Sequence, residues 1–440
     1  MNKFLLPFGL ALYVCAAPFA QAGDAPAGQT ESKPNINYKL PPTPAAEIGN
    51  SLTLKQAIAL AFNANPELSA AARELDAVEA SLVQAGVRPN PELSILQEDT
   101  RKKTSTTTLQ LNQLLETGGK RGARIAVAEK GRDAAQAELL AKRADIQALV
   151  VGSYFEVLEA QEHVQLLQSA LQLAQRATLI AAKRVAAGKV APLEESKARV
   201  AEAGVGVELQ QAVSTLSSGR RRLAATWGNP SLDSAAAAFV RVDGQLDQVP
   251  PLPELLSLLT RLQSAPAMQR ARLEVERREA MTRLERSRRV PDVTVSVGAK
   301  RAQELGRNQL VVGLAMPIPV FDRNQGNLLE ALRRSDKARD ELRGAEVRLN
   351  AELLDAHERL KLARLQVASL QSEILPSAQN TYDRTLKGFE LGKFSFLEVL
   401  DAQRVLFQAK SQTLRALADT HRAATDIERV LGTSPSTDSL

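Results

Sequence analysis

The sequence is written nearly twice. A short apolar-periodic stretch ends at Asn65-Pro66 and another ends at Ala265-Pro266, an offset of 266 − 66 = 200. Pro91 and Pro291 keep that offset, whereas Gly188-Lys189 and Gly392-Lys393, Leu193-Glu194 and Leu397-Glu398, and Trp227-Gly228 and Leu431-Gly432 are all related by 392 − 188 = 204. The spacing grows by four only between the prolines and the later landmarks, as one longer loop requires. A repeat of this length is a duplicated half-molecule rather than a short solenoid unit, so the fold and any function must be built from two like halves.

The halves span 51–228 and 266–431, with 229–265 as a linking, equatorial segment that opens the second repeat and 432–440 as a tail. Ahead of them, Lys3, the apolar run Phe4 to Ala17 and Ala20-Gln21-Ala22 have the plan of a cleaved secretory signal over 1–22. Cys15, the only cysteine, lies inside that run behind Val14, where lipidation would need a small residue. Residues 23–50 hold Pro26, Pro34, Pro41, Pro42 and Pro44 and read as an extended arm. An exported chain of this size without disulfides relies on packing alone.

Each half repeats one order of elements. A short helix and a second helix (about 66 to 87, about 266 to 288) stop at Pro89 or Pro291, and the period then changes from helical to alternating. In the hairpin predicted over 92–115, Leu93 and Ile95 alternate with Ser94, and Leu109 and Leu111 with Gln110 and Asn112. In the hairpin predicted over 292–320, Val293, Val295 and Val297 alternate with Thr294, Ser296 and Gly298, while Leu310, Val312, Leu314 and Met316 oppose Gly313 and Ala315. Apolar residues on one face and polar or small ones on the other, in segments of about ten, is the pattern of a transmembrane β-barrel. A half-buried hairpin of a soluble sheet shows the same alternation, and the strands lack the tyrosine and tryptophan girdle of a barrel.

The segments from Gly119 to about Ala187 and from Asn324 to about Leu391 contain a single proline, Pro376. A helix of about 68 residues is about 100 Å long and must be part of a coiled coil. Its seam is Val150, Val157, Val164, Leu171, Thr178 and Val185, with Ser153, Ala160, Leu167, Ala174 and Ala181 between them. Each long helix turns at Gly188 or Gly392 and returns, giving coiled-coil hairpins over 119–226 and 324–430. The reading is a mainly α chain with four long coiled-coil helical strands and four membrane β-strands. Outer-membrane barrels start at eight strands, so several chains must share one: two would give eight strands and a filled interior, three would give twelve and a lumen.

These residues resemble a family. The duplicated halves, Arg88-Pro89-Asn90-Pro91, the Gly-Lys turns and Gly392 to Ala402 are similar to TolC-type outer-membrane efflux proteins over about Leu52 to Leu431. Leu114-Leu-Glu-Thr-Gly-Gly-Lys-Arg-Gly-Ala-Arg124 resembles the CzcC-like branch, which serves cobalt-zinc-cadmium efflux. The resemblance implies a homotrimer that closes a 12-stranded β-barrel in outer-membrane lipid and a periplasmic α-helical barrel. Its tips, Gly188, Lys189, Gly392 and Lys393, would dock a periplasmic adaptor (membrane fusion) protein linked to an inner-membrane RND pump. It also implies an entrance narrowed by Glu398 and Asp401, with Glu194 at an acidic partner position. Phe389 stands where some members carry a tyrosine, and Phe394 where they carry a basic residue. Apolar contacts of Phe389, Phe394 and Phe396 would then either hold the entrance shut or pack the hairpin tip. No cofactor and no catalysis are implied.

Other function classes find less support. His163, His357 and His421 lie on separate predicted helices with no second cysteine or His/carboxylate motif, the wrong makings for a metal centre or an enzyme. The net charge of +6 comes from mixed helix faces such as Arg270 to Glu279, and so few aromatics argue against nucleic acid. A periplasmic adaptor is the nearer rival, but it would carry one helical hairpin flanked by β-rich domains. An outer-membrane factor for drugs or type I secretion is a further alternative, since no ligand cluster names the cargo.

Overall fold

The computed structural model describes residues 51–99, 101, 103–229, 239–391 and 393–432. The predicted signal segment, Cys15, the proline-rich arm, Gly392 and the tail after Gly432 lie outside the described residues.

The first half opens with strand β1 (Ser51–Thr53) and helix α1 (Leu54–Ala64), whose N-cap Thr53 forms a capping box with Gln56. Helix α2 (Pro66–Ala85) starts on Asn65, whose side-chain oxygen accepts from the Glu67 and Leu68 amides at 2.8 and 3.1 Å. Strands β2 (Glu92–Glu98) and β3 (Thr106–Leu115) follow, then α3 (Lys120–Ala186) and α4 (Pro192–Ala225). The link supplies β4 (Arg241–Asp243). The second half repeats the order with α5 (Leu255–Leu262), α6 (Pro266–Ser287), β5 (Val293–Ala302) and β6 (Arg307–Ala315). It then runs through α7 (Gln325–Ser369), a π-helical turn (Leu370–Ile374), α8 (Leu375–Glu390) and α9 (Phe396–Leu431).

The landmark pairs of the duplication touch each other. Gly228 and Gly432, with φ of +80° and +67°, end the returning helices against Pro66 and Pro266, the first residues of α2 and α6. A Cβ at Gly432 would stand 2.2 Å from Pro266 Cδ, so the turn closes against the ring itself. Apolar cores sit behind both contacts. One gathers Leu52, Val150, Tyr154, Phe155, Leu223 and Trp227, the other Leu258, Leu262, Met268, Leu353 and Leu360. A third cluster lies at the remote end.

The predicted seam of α3 is partly right and partly too narrow. Val150, Val157, Ala160, Val164, Leu167, Ala174 and Ala181 are buried, while Leu171, Thr178 and Val185 are only half-buried. Between Ile146 and Gln161 the buried set also takes in Val151, Tyr154, Phe155 and Leu158, because α1 and β4 cover the helix there as well as α4 and α9.

Two features depart from the sequence reading. The second hairpin stops at Ala315: the apolar alternation runs on through Met316, Ile318 and Val320, but Pro317 and Pro319 have no amide for a ladder. A parallel two-stranded pair, β1 with β4, appears where only a linker was expected. Tyr154 Oη donates to the carbonyls of Leu52 (2.9 Å) and Asp243. Gln161 exchanges both amide bonds with the Val242 backbone (2.8 and 3.1 Å) and so acts as a strand edge made from a side chain.

Candidate functional site

Three regions hold the residues singled out from the sequence: the strand sheet, the knuckle joining it to the helices, and the remote tip. The sheet has the order β2-β3-β5-β6, antiparallel throughout, so the two hairpins join across the halves through β3 and β5. Its register lines up Leu93, Leu111, Val297 and Val312 in one row and Ile95, Leu109, Ala299 and Leu310 in the next. That face is bare, with Leu310, Val312 and Leu314 79, 68 and 75 % exposed. The opposite face carries Ser94, Gln110, Gly298 and Val311 in one row and Glu92, Asn112, Ser296 and Gly313 in another. A sheet with apolar side chains on its open face and mainly small or polar ones on the other, Leu96, Leu114 and Val311 excepted, suits lipid on one side and water on the other. β2 and β6 are its edges, and each leaves one side of its backbone without a ladder partner among the described residues.

The motif Leu114 to Arg124 is the knuckle. Glu116 pairs with Arg124, the Thr117 amide donates to Asp292 Oδ1 (2.9 Å), and Lys120 Nζ meets the same carboxylate at 2.7 Å. Gly118 (φ +64°) lies against Val290, and Gly119 (φ +73°) starts α3 in a left-handed turn. Arg121 and Arg124 then donate to the carbonyls of Gly86 (2.7 Å) and Val87 (3.1 Å) at the end of α2. The motif therefore ties strand, long helix and the second hairpin into one joint.

At the tip, α3 ends in a Schellman arrangement: the Lys189 amide donates to the Arg184 carbonyl at 2.9 Å around Gly188, whose φ is +65°. The second turn repeats the bond, from the Lys393 amide to the Gly388 carbonyl at 2.8 Å. Phe389 is buried among Ala181, Ala198, Tyr382, Val399 and Leu406, so it packs the hairpin. Phe394 is half out of the protein with its ring against Gly388, where a Cβ would lie 2.2 Å from the ring. The side chain of Phe396 lies outside the described residues. Sequence reasoning missed Arg184, whose guanidinium stands 4.0 Å over the Phe389 ring and links the two coiled-coil hairpins. Its position in the last turn of α3, where cations suit helix carbonyls, is the signal that could have found it.

The predicted acidic pair is brought together on one face of α9, but each member has a partner. Glu398 is the third residue of a capping box: its carboxylate accepts from the Ser395 amide (2.6 Å) and hydroxyl (2.8 Å). Those bonds hold its carboxyl below the usual glutamate range. Asp401 pairs with Arg404 at 2.8 Å, so the stripe reads minus, minus, plus. Glu194 sits half-buried in the first turn of α4 on the other hairpin, where a carboxylate suits the helix N-terminus.

Between tip and core, a groove of about 1340 Å³ lies over α3 and is walled by α4 and α9. Its charges largely cancel: Arg422 meets Glu159 at 2.9 Å and Arg222 meets Glu156 at 3.1 Å. His163 in its wall approaches Ser411 Oγ at 3.4 Å, and burial lowers its pKa. His421 stacks on Phe155 at 3.9 Å and meets the Leu246 carbonyl, and His357 meets that of Pro253. Among the described residues no three His, Cys, Asp or Glu side chains are grouped to hold a metal, and no helix is long and apolar enough to cross a membrane.

A family model described as "Outer membrane efflux protein" matches residues 57–229 and 259–433, one match to each half. The cobalt-zinc-cadmium resistance protein CzcC of Cupriavidus metallidurans is 44 % identical over 434 residues, 98 % of this chain and 100 % of that protein. The nickel-cobalt-cadmium resistance protein NccC of Alcaligenes xylosoxydans xylosoxydans is 28 % identical over 72 % of this chain and 70 % of its own. The fold is that of solved outer-membrane channels. VceC from Vibrio cholerae superposes with a TM-score of 0.72 at 20 % identity, covering 87 % of this chain and 96 % of that one. CusC superposes with a TM-score of 0.74 at 19 % identity over 87 % and 92 %. A chain matched in both halves, and over nearly its whole length by CzcC, is a channel component rather than an enzyme or an adaptor: it belongs to the outer membrane efflux protein family.

Proposed function

We propose that three copies of this chain form the exit duct of a tripartite efflux system that exports divalent heavy-metal cations of the cobalt, zinc and cadmium type. The observation that carries the assembly is the open four-stranded sheet. Its two free edges and bare apolar face call for partners, and three copies supply twelve strands and a lumen. The sheet sits in outer-membrane lipid, after removal of the signal near Ala22, and the long helices stand in the periplasm. The turns at Gly188-Lys189 and Gly392-Lys393 meet a periplasmic adaptor that connects to an inner-membrane RND pump.

The cargo rests on the 44 % identity to a cobalt-zinc-cadmium resistance protein along the whole chain. The duct itself has no ligand cluster among its described residues, so the pump selects the ion and this chain conducts it. Glu398 and Asp401 line the entrance, where Arg404 leaves about one net negative charge per copy. Deleting the gene and restoring it should abolish and recover growth on cobalt, zinc and cadmium salts. Unchanged metal tolerance together with new sensitivity to drugs, or loss of a secreted protein, would transfer the chain to a drug or type I secretion system.

A further inference from the structure

The bare face of the sheet is too short for the membrane that suits it. One boundary is the polar row Gln97, Thr107, Arg301 and Asn308, which lies one step beyond the row of Ile95, Leu109, Ala299 and Leu310. From there the apolar run on the edge strand β6, Leu310 to Leu314, covers about 14 Å of strand, or about 10 Å of depth at a tilt of about 40°. An outer-membrane barrel presents an apolar band about 25 Å tall.

The segment after β6 makes up the difference. Met316, Ile318 and Val320 keep the alternation and are 54, 78 and 57 % exposed, and Phe321 beyond them is 92 % exposed. At the same rise, the run from Leu310 to Val320 reaches up to about 34 Å, or about 26 Å of depth. An amide without a partner is costly in lipid, and this segment is poor in amides. Pro317 and Pro319 carry no amide proton, and the Val320 amide donates to the Ile318 carbonyl at 2.9 Å. The prolines that end the ladder therefore suit a segment that goes on into lipid without one.

This segment ends beside a cluster of cations. Asn324 donates to the Glu285 carboxylate (2.8 Å) and carbonyl (2.9 Å), which ties the chain to the last turns of α6. Glu285 itself pairs with Arg288, and Asp292 pairs with Lys120. Arg286, Arg289 and Arg323 are exposed and meet no carboxylate among the described residues, while Asp322 accepts the Asn324 amide at 2.8 Å. Resting on the membrane reading above, we propose that this junction binds anionic phospholipid of the periplasmic leaflet. Ile318, Val320 and Phe321 enter the acyl chains, and Arg286, Arg289 and Arg323 hold the headgroup phosphates. A guanidinium offers a phosphate two parallel donors, and basic residues beside an apolar segment are drawn to an anionic interface.

The test uses the full chain reconstituted in vesicles of phosphatidylcholine, with or without phosphatidylglycerol. Trp227 is the single native tryptophan and is buried in a core, so an introduced tryptophan is read against the parent. F321W should be quenched by lipid brominated near the headgroup end of its acyl chains and shielded from iodide in the water. V312W, on the bare face of the sheet, reports whether the sheet itself is in lipid. In native mass spectra the parent should retain phosphatidylglycerol over phosphatidylcholine, and R286Q, R289Q and R323Q should each lower that preference about fivefold. If V312W is quenched by lipid but F321W by iodide, or F321W by neither, the segment lies in water or under protein; the proposal then falls and the barrel stands. Quenching of F321W by lipid without a preference for phosphatidylglycerol would overturn the headgroup site. If lipid quenches neither tryptophan, both the junction and the membrane reading of the sheet fall.

Discussion

Three glycines with the same backbone conformation separate conformational cost from packing cost. Gly188, Gly228 and Gly432 have φ of +65°, +80° and +67°, so alanine at any of them pays about 1 kcal/mol for the left-handed region. At Gly188 a Cβ would meet nothing within 4 Å, and at Gly228 it would touch Pro66 at an ordinary 3.4 Å. At Gly432 it would stand 2.2 Å from Pro266 Cδ and 2.5 Å from Cγ, which forces the ring or the turn to move and adds about 1–3 kcal/mol of overpacking. The expected losses are about 1 kcal/mol for Gly188→Ala and Gly228→Ala and about 2–4 kcal/mol for Gly432→Ala. Denaturant unfolding of the purified protein in detergent, followed by the helical circular-dichroism signal, gives the order directly. Equal shifts at all three sites would refute the claim that the α9 turn is locked on Pro266.

Other perturbations probe the remaining sites. Tyr154→Phe should strand the carbonyls of Leu52 and Asp243 at a cost of about 1–3 kcal/mol, seen as faster hydrogen exchange at 51–53 and 241–243. Phe389→Ala empties the tip cluster and should cost about 3–5 kcal/mol locally, with exchange in α8 and the start of α9 rising while the α6 core is unaffected. In planar-bilayer recordings at low salt, alanine at both Glu398 and Asp401 should lower cation selectivity and Arg404→Ala should raise it; both effects should fade as salt screens the field. Burial pushes Glu428 up to about 7, with Arg261 acting against the shift. Folding therefore loses stability as pH rises from the usual glutamate value to about 7, where the unfolded chain ionises first, and is level above that. Glu428→Gln should be more stable than the parent at pH 8 and indistinguishable at pH 4; equal stability at both would remove the buried-acid reading.

Much of the architecture was legible because duplication and periodicity are global signals. A change from helical to alternating period at Pro89 and Pro291, and glycines at each reversal, leave few ways to connect the elements. Local signals failed where one atom decides. Met316 keeps the strand alternation, yet Pro317 and Pro319 end the ladder because they lack an amide proton. Asp401 reads as half of a charged pair until Arg404, one helical step on, is seen to meet it. β1 and β4 are three residues each, too short for any period, and they persist because Tyr154 and Gln161, far away in sequence, hold their backbone. Arg184 drew no notice because stacking on Phe389 depends on how two hairpins meet, which neither hairpin's sequence records.

Among the described residues the π-helical turn occurs in only one of the two halves. α3 runs 67 residues without interruption, whereas its counterpart widens over Leu370–Ile374, where the Leu375 amide reaches back five residues to Leu370, just ahead of Pro376. Proline lacks the proton to bond the carbonyl of Ser372, so this staff is softer at one level than its twin. A tube assembled from three such chains would alternate stiff and compliant staves around its wall. Its easiest deformation would then be triangular rather than uniform, with the second-half hairpins flexing at the level of Pro376 while the first-half hairpins hold their line.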